Sequence, residues 1–261
     1  MKINHSSSFS VKGEISEMKN IKIEIEYNGK RFHGWQRLAR LKTVQGEIEK
    51  TLSEITGENI KIIGSGRTDA GVHALGQVAN FRTNCNIPLN ILLEILNIKL
   101  DKNIKIKNIK EVDNYFHSRY SLKEKTYRYI INNSGNVSPL FNEYEYFVSK
   151  KLNIHWMRKA AEYLIGTHNF KAFKTPQNIY KNTVRTIYNI NIYNFNERIY
   201  IEITGNGFLY NMVRIIAGTL VDVGLGKIKV NQIPNILESK NREFAGEILP
   251  PNGLYLLKVR Y

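Results

Sequence analysis

Cysteine is nearly absent from this chain: Cys85 stands alone among 261 residues. That rules out an intrachain disulfide framework and any centre built from several thiolates, and it fits a reducing compartment such as the cytoplasm. The six histidines, His5, His33, His73, His117, His155 and His168, are scattered, with no His-Glu-x-x-His or paired Cys/His spacing, so no bound metal is expected. Long apolar runs are also missing. The longest, residues 208–225, is interrupted by Asn211, Arg214 and Asp222, which a hydrocarbon core would penalise, so no membrane span is expected. Residues 1–20 have neither an apolar centre nor a clean cleavage site and do not read as a secretory signal. They read as a disordered extension, with Met18 a natural start ahead of a strand-like run.

Acidic residues are in short supply. Against 23 Asp and Glu stand 38 Lys and Arg, a formal charge of +15 that attracts polyanions over long range, so nucleic acid is the first partner to consider. Basic composition also occurs in plain soluble and membrane-surface proteins, and motifs have to decide. What is abundant is core material: 42% hydrophobic residues suffice for one large domain or two smaller lobes.

Residues 21–27 alternate apolar and polar, the mark of a strand with one buried face, and Asn28-Gly29 supplies a tight turn. Val44, Ile48, Leu52 and Ile55 recur at helical spacing, with Gly57 where a C-cap belongs. Residues 60–63 and 75–82 read as strands around a Gly-rich loop at 64–71, and a helix follows Pro88 over 89–100. Strands at 104–112 and 126–132 complete a first half of alternating strands and helices. A polar stretch with Ser134, Gly135 and Pro139 then precedes a second half with a helix at 153–164, strands at 184–195 and 199–204, a helix from Phe208 onward and a closing strand at 253–261. The expected organisation is an N-terminal extension at 1–20, a lobe at 21–133 bearing the Gly-rich loop, a linker at 134–151, and a second lobe at 152–261.

Within that loop, Gly64-Ser65-Gly66-Arg67-Thr68-Asp69-Ala70-Gly71 sets an Arg and an Asp between glycines. Small residues allow close backbone approach, and Arg67 keeps the Asp69 carboxylate ionised if the two side chains converge. In an isolated loop, however, an Asp more often bonds its own backbone, and the pattern alone favours that role.

The segment Gly66-Arg67-Thr68-Asp69-Ala70-Gly71-Val72-His73-Ala74 closely resembles the active-site loop of TruA-type tRNA pseudouridine synthases. The resemblance continues in order through Tyr27-Asn28-Gly29, Gly34-Trp35-Gln36, Thr43-Val44-Gln45, Gln77-Val78-Ala79-Asn80-Phe81, Phe116-His117-Ser118-Arg119, Lys125-Thr126-Tyr127-Arg128-Tyr129, Phe208-Leu209-Tyr210-Asn211-Met212-Val213-Arg214 and Gly253-Leu254-Tyr255-Leu256. It spans nearly everything from residue 21 to residue 261. Three stretches depart from the family pattern: Arg37-Leu38-Ala39, His168-Asn169-Phe170 and Ile248-Leu249-Pro250-Pro251. They bear on RNA contact and target choice rather than on chemistry.

The resemblance implies an α+β protein of two ferredoxin-like (RRM-like) lobes sharing a central mixed, mainly antiparallel sheet, with a basic cleft between them. It implies an isomerase that detaches uracil from its ribose and rejoins it through C5, at positions 38 to 40 of the tRNA anticodon stem-loop, without cofactor or metal, in a homodimer. Asp69 is then the catalytic carboxylate, with Arg67, Tyr127 and Arg214 binding substrate; Arg214, a charge in an otherwise apolar helix candidate that needs a partner, faces the pocket and pairs with Asp69 or a substrate phosphate. Tyr127 lays a ring against the target base, worth about 1–3 kcal/mol in single-strand recognition; alternation puts Tyr127 and Tyr129 on one face and Arg128 on the other. His117, Arg119, Lys125, Arg128 and Lys171, with Lys123, Lys174, Lys181 and Arg185, are candidates for phosphate contacts, although each alone reads as a solvated charge. A non-catalytic RNA-binding protein of the same fold is the main rival. Affinity for RNA requires no carboxylate near phosphates, so the joint presence of Arg67, Asp69, Tyr127 and Arg214 argues against it.

Overall fold

The computed structural model describes residues 18–176 and 182–261. In its first half β1 (Lys19–Tyr27), α1 (Val44–Thr56), β2 (Ile63–Gly64), β3 (His73–Thr83), α2 (Leu89–Lys99) and β4 (Ile104–Val112) follow one another. In its second half come β5 (Glu124–Asn132), β6 (Tyr146–Phe147), α3 (Ile154–Glu162), β7 (Gly166–Asn169), β8 (Val184–Phe195), β9 (Arg198–Gly205), α4 (Met212–Gly224), α5 (Ile233–Ser239) and β10 (Leu254–Arg260).

The ten strands among the described residues join in one sheet of order β4-β1-β3-β10-β5-β9-β8-β7, with β2 on β3 and β6 on β5. The first half runs strand, helix, strand, strand, helix, strand with spatial order β4-β1-β3-β2, a ferredoxin-like arrangement. The second half repeats it with β8 and β9 as a hairpin, and its last strand is β10. That strand pairs parallel with β3 and antiparallel with β5, so the end of the chain joins the two halves. The fold is therefore α+β with a mostly antiparallel sheet, as the resemblance implied.

One face of the sheet is buried across both halves. Directly paired residues share a face, and the row Ile104, Tyr27, Ala74, Leu256, Tyr127, Ile203, Ile190 crosses seven strands with every member buried. Helices supply Ile48, Leu52, Leu92, Leu96, Ala160, Ile216 and Leu220 to the same core. α1 begins where Thr43 accepts from the Gly46 N–H and ends at Gly57, the expected C-cap, with φ of 72°. Among the described residues no helix is long and apolar enough to cross a membrane.

Three expectations need adjustment, and three short elements escape the sequence reading. Lys19 and Asn20, assigned to the extension, belong to β1: Asn20 is buried and its side chain donates to the carbonyls of Asp113 and Phe116. Residues 1–17 of that extension lie outside the described residues. The strand at 60–63 shrinks to β2, because the Ile62 N–H is taken by the Glu49 carboxylate instead of a neighbouring strand. The helix from Phe208 starts only at Met212, after Asn211 adopts a φ of 60° that no α-helix continues through. The short elements β6, β7 and α5 carry too few residues for periodicity to show.

Candidate active site

The loop between β2 and β3 is held almost entirely through its backbone. The Ser65 carbonyl accepts from Lys125 Nζ at 2.7 Å, the Gly66 carbonyl from Gln77 Nε2 at 3.0 Å, and the Thr68 carbonyl from the Trp35 N–H at 3.0 Å. The Asp69 carbonyl accepts from the Val72 N–H at 3.2 Å, closing a turn. Thr68 turns inward, its hydroxyl 2.8 Å from that of buried Tyr27. Two glycines outside the loop let it sit this low. A Cβ on Gly29 would stand 1.8 Å from the Val72 carbonyl oxygen, and one on Gly34, whose φ is 85°, would stand 2.8 Å from that of Thr68. With its carbonyls occupied and Thr68 inward, the loop leaves Arg67 and Asp69 facing a cleft.

That cleft has a volume of about 210 Å³ and lies where β5, the loop and the start of α4 meet. Its lining brings Arg67, Asp69, Tyr127 and Arg214 together, and among the described residues Asp69 is the one carboxylate in it. It is smaller than the roughly 300–1,000 Å³ typical of sites for drug-sized ligands, on the scale of a single base. The Tyr127 ring is met edge-on by Phe208, centroids 5.3 Å apart and planes at 88°. Tyr127 and Tyr129 are both buried, while Arg128 lies in the register row of Tyr255 and Glu202, on the other face.

Arg214 reaches the cleft from the first turn of α4. Its Nε donates to the Leu249 carbonyl at 2.6 Å and its Nη1 to the Asn211 side-chain oxygen at 2.8 Å. Held in this way, Nη1 lies 3.9 Å from the Asp69 carboxylate. Burial raises the Asp69 carboxyl above the ordinary carboxylate value, and the Arg214 charge pulls it partly back. Arg67, the neighbour in sequence, forms no ion pair among the described residues, so the guanidinium facing Asp69 is that of Arg214.

The remaining candidates are spread out. Lys125 lies beneath the loop, and burial together with the nearby Arg119 charge brings its ammonium down to about 8. Arg119 lines a second cavity on the far side of the loop. The His117 ring stacks on Tyr120 and accepts from the N–H groups of Arg119 and Tyr120. Arg128 is bonded to Glu202, which also accepts from Tyr193. Lys171 is exposed on a short 3-10 turn beyond β7, and Lys181 lies outside the described residues. Among the described residues no cluster of three or more His, Cys, Asp or Glu is placed to hold a metal ion.

Phe208, Asn211 and the Leu249 carbonyl shape the cleft although sequence reasoning gave them no part. Phe208 and Asn211 flank an apolar run in the motif around Arg214, and that was the available signal; a carbonyl contact leaves no trace in side-chain identity.

The cleft in this α+β sheet thus sets a carboxylate opposite a guanidinium, beside two aromatic rings packed edge to face. A family model described as tRNA pseudouridine synthase matches residues 23–121 and 160–261. The tRNA pseudouridine synthase A of Acetivibrio thermocellus is 49% identical over 244 residues, covering 94% of this chain and all of that relative. Those of Thermoanaerobacter sp. and Clostridium botulinum are 49% and 48% identical over 244 residues, each with 94% of this chain and all of the relative covered. The chain belongs to the tRNA pseudouridine synthase family, and is an isomerase of that class.

Proposed function

We propose that this protein converts uridine to pseudouridine in the anticodon stem-loop of tRNA, at positions 38 to 40, with Asp69 as its catalytic carboxylate and without cofactor or metal. The observation that carries this reading is the isolation of Asp69: one carboxylate, 3.9 Å from Arg214, in a cleft of base size walled by Tyr127 and Phe208. In the isomerisation the N1–C1′ bond breaks, a C5–C1′ bond forms, the C5 proton leaves and N1 gains one, so nothing is consumed. Such a reaction needs water excluded and an anionic group beside the ribose while the base is detached. Asp69 supplies the anion, Arg214 keeps it in place, and Tyr127 offers a ring for the extruded base, whose removal from the stack costs on the order of a few kcal/mol.

The charge of +15 supports a polyanionic substrate. The family resemblance supports a cytoplasmic homodimer, and the order of strands and helices supports a lobe at 19–133, a linker at 134–151 and a second lobe at 152–261. Incubation with tRNA carrying tritium at uridine C5 tests the activity: wild type releases tritium to water without added metal, and Asp69→Asn releases none while still binding tRNA. Turnover by Asp69→Asn removes the mechanism; binding without release by the wild type returns the non-catalytic reading.

A further inference from the structure

Behind the Asp69 loop lies a second cavity of about 190 Å³, and it shares Arg67 with the first. Trp35, Gln36, Gln45, Gly66 and Arg119 complete much of its wall. We propose that this cavity is an anion subsite, walled by the guanidinium groups of Arg67 and Arg119, that takes an RNA backbone phosphate next to the target nucleotide. The proposal rests on the RNA-modifying reading above and adds a defined contact to it.

Charge around this cavity is uncompensated. Neither the Arg67 nor the Arg119 side chain forms a hydrogen bond or ion pair among the described residues. The carboxylate of the surrounding network, Glu49, is already engaged by Arg37, by Gln45 and by the Ile62 N–H. The Gln45 amide is engaged as well: its oxygen accepts from Gln36 and the Arg37 N–H, and its nitrogen donates to Glu49 and the Ile62 carbonyl. Lys125 adds a third cation under the same loop: a Cβ on Gly66 would stand 2.3 Å from Lys125 Nζ, and the Arg119 charge contributes to lowering the Lys125 ammonium. Like charges gathered around one small cavity raise its positive potential, and a bound anion relieves it. Guanidinium groups match phosphate oxygens in geometry as well as charge. Because Arg67 borders both cavities, an anion held there while a nucleotide occupies the Asp69 cleft belongs to the same strand.

The test uses a stem-loop RNA containing the target uridine, either natural or with one neutral methylphosphonate immediately 5′ or 3′ of that uridine. Binding is measured across a salt series for the full-length wild type, Arg119→Gln and Arg119→Lys. Arg119→Gln is expected to bind natural RNA about tenfold more weakly, with a salt slope lower by about one. One of the two methylphosphonates should weaken the wild type by a similar factor and leave Arg119→Gln unchanged, while Arg119→Lys recovers part of the affinity. Unaltered melting of Arg119→Gln excludes a folding cause. Wild-type affinity and slope in Arg119→Gln, or equal sensitivity of both proteins to both methylphosphonates, overturns the proposal. Tritium release by the wild type is followed alongside. Its absence, with Arg119-dependent binding intact, removes the catalytic reading and leaves the phosphate subsite standing.

Discussion

The two segments that face each other across the cleft are built in opposite ways. The loop that carries Asp69 is held by backbone: its carbonyls are bonded in turn to Lys125, Gln77, Trp35 and Val72, and glycines clear the space for them. In the segment that carries Arg214 it is the side chain that is held: Asn211 leaves the regular backbone at φ of 60°, and its side-chain oxygen and the Leu249 carbonyl fix the guanidinium. A backbone-held loop gives a carboxylate a position that is set once by folding. A side-chain clamp places a charge that one substitution can release, so the two halves of the site should fail differently when perturbed.

The largest effect expected is structural. Gly29→Ala drives a Cβ into the Val72 carbonyl and should cost about 3 kcal/mol or more in denaturant unfolding, with turnover lost in proportion to the displaced loop; near-wild-type stability would show that the loop tolerates lifting. Next, Arg214→Gln should keep the fold and lower turnover by about 10²-fold, in the range seen when a preorganised charge is removed. It should also move the acid limb of the pH–rate profile upward. The sign follows from the two causes: burial already makes Asp69 protonate at higher pH than usual, Arg214 opposes this, and removing the opposing charge extends the shift. Activity that needs the carboxylate is then lost earlier as pH falls, and an unmoved limb would assign it to another group.

A smaller effect, about tenfold in turnover, is expected for Asn211→Gly, which keeps the left-handed backbone but removes the oxygen that Arg214 donates to. Asn211→Ala should show the same loss plus a stability cost of about 1 kcal/mol, because alanine is strained at that φ. Wild-type turnover in Asn211→Gly, with a loss only in Asn211→Ala, would mean that the backbone conformation, not the oxygen, matters. The smallest effect concerns Lys125. Its ammonium is held near 8 in the folded protein, below the ordinary lysine value, so between those values the unfolded chain holds a proton that the folded one has released. Stability therefore rises with pH across that window, and Lys125→Met should flatten the rise in melting temperature there.

The backbone-held region was the more legible of the two. Its glycines, its Arg-Thr-Asp core and the flanking strand patterns all lie within a dozen or so positions, and local steric rules speak directly to such a stretch. Even there legibility stopped at partners: Arg67 is two residues from Asp69 and does not pair with it, while Arg214 does. Arg214 stood out as a charge in an apolar run that needed a partner, and the run pointed to a helix, but the left-handed Asn211 that delays its start carries no pattern of its own. Arg128 and Tyr127 show the same boundary. Alternation along one strand separates them onto two faces, whereas that Glu202 receives Arg128 follows from the pairing of β5 with β9.

The sequence by itself determined the alternating half-buried strands, the Gly57 cap of α1, the scarcity of thiols, the lack of metal-type spacing and the excess of positive charge. These depend on side-chain type and on contacts within a few residues, where periodicity and sterics are short-ranged. Tertiary structure alone decided that β10 closes both halves into one sheet, that Asn211 and the Leu249 carbonyl hold Arg214 at 3.9 Å from Asp69, and that Arg67 and Arg119 border a second cavity. Those outcomes rest on strand order and on the docking of distant segments, and Coulomb and hydrogen-bond energies act only between groups that folding has already brought within a few ångströms.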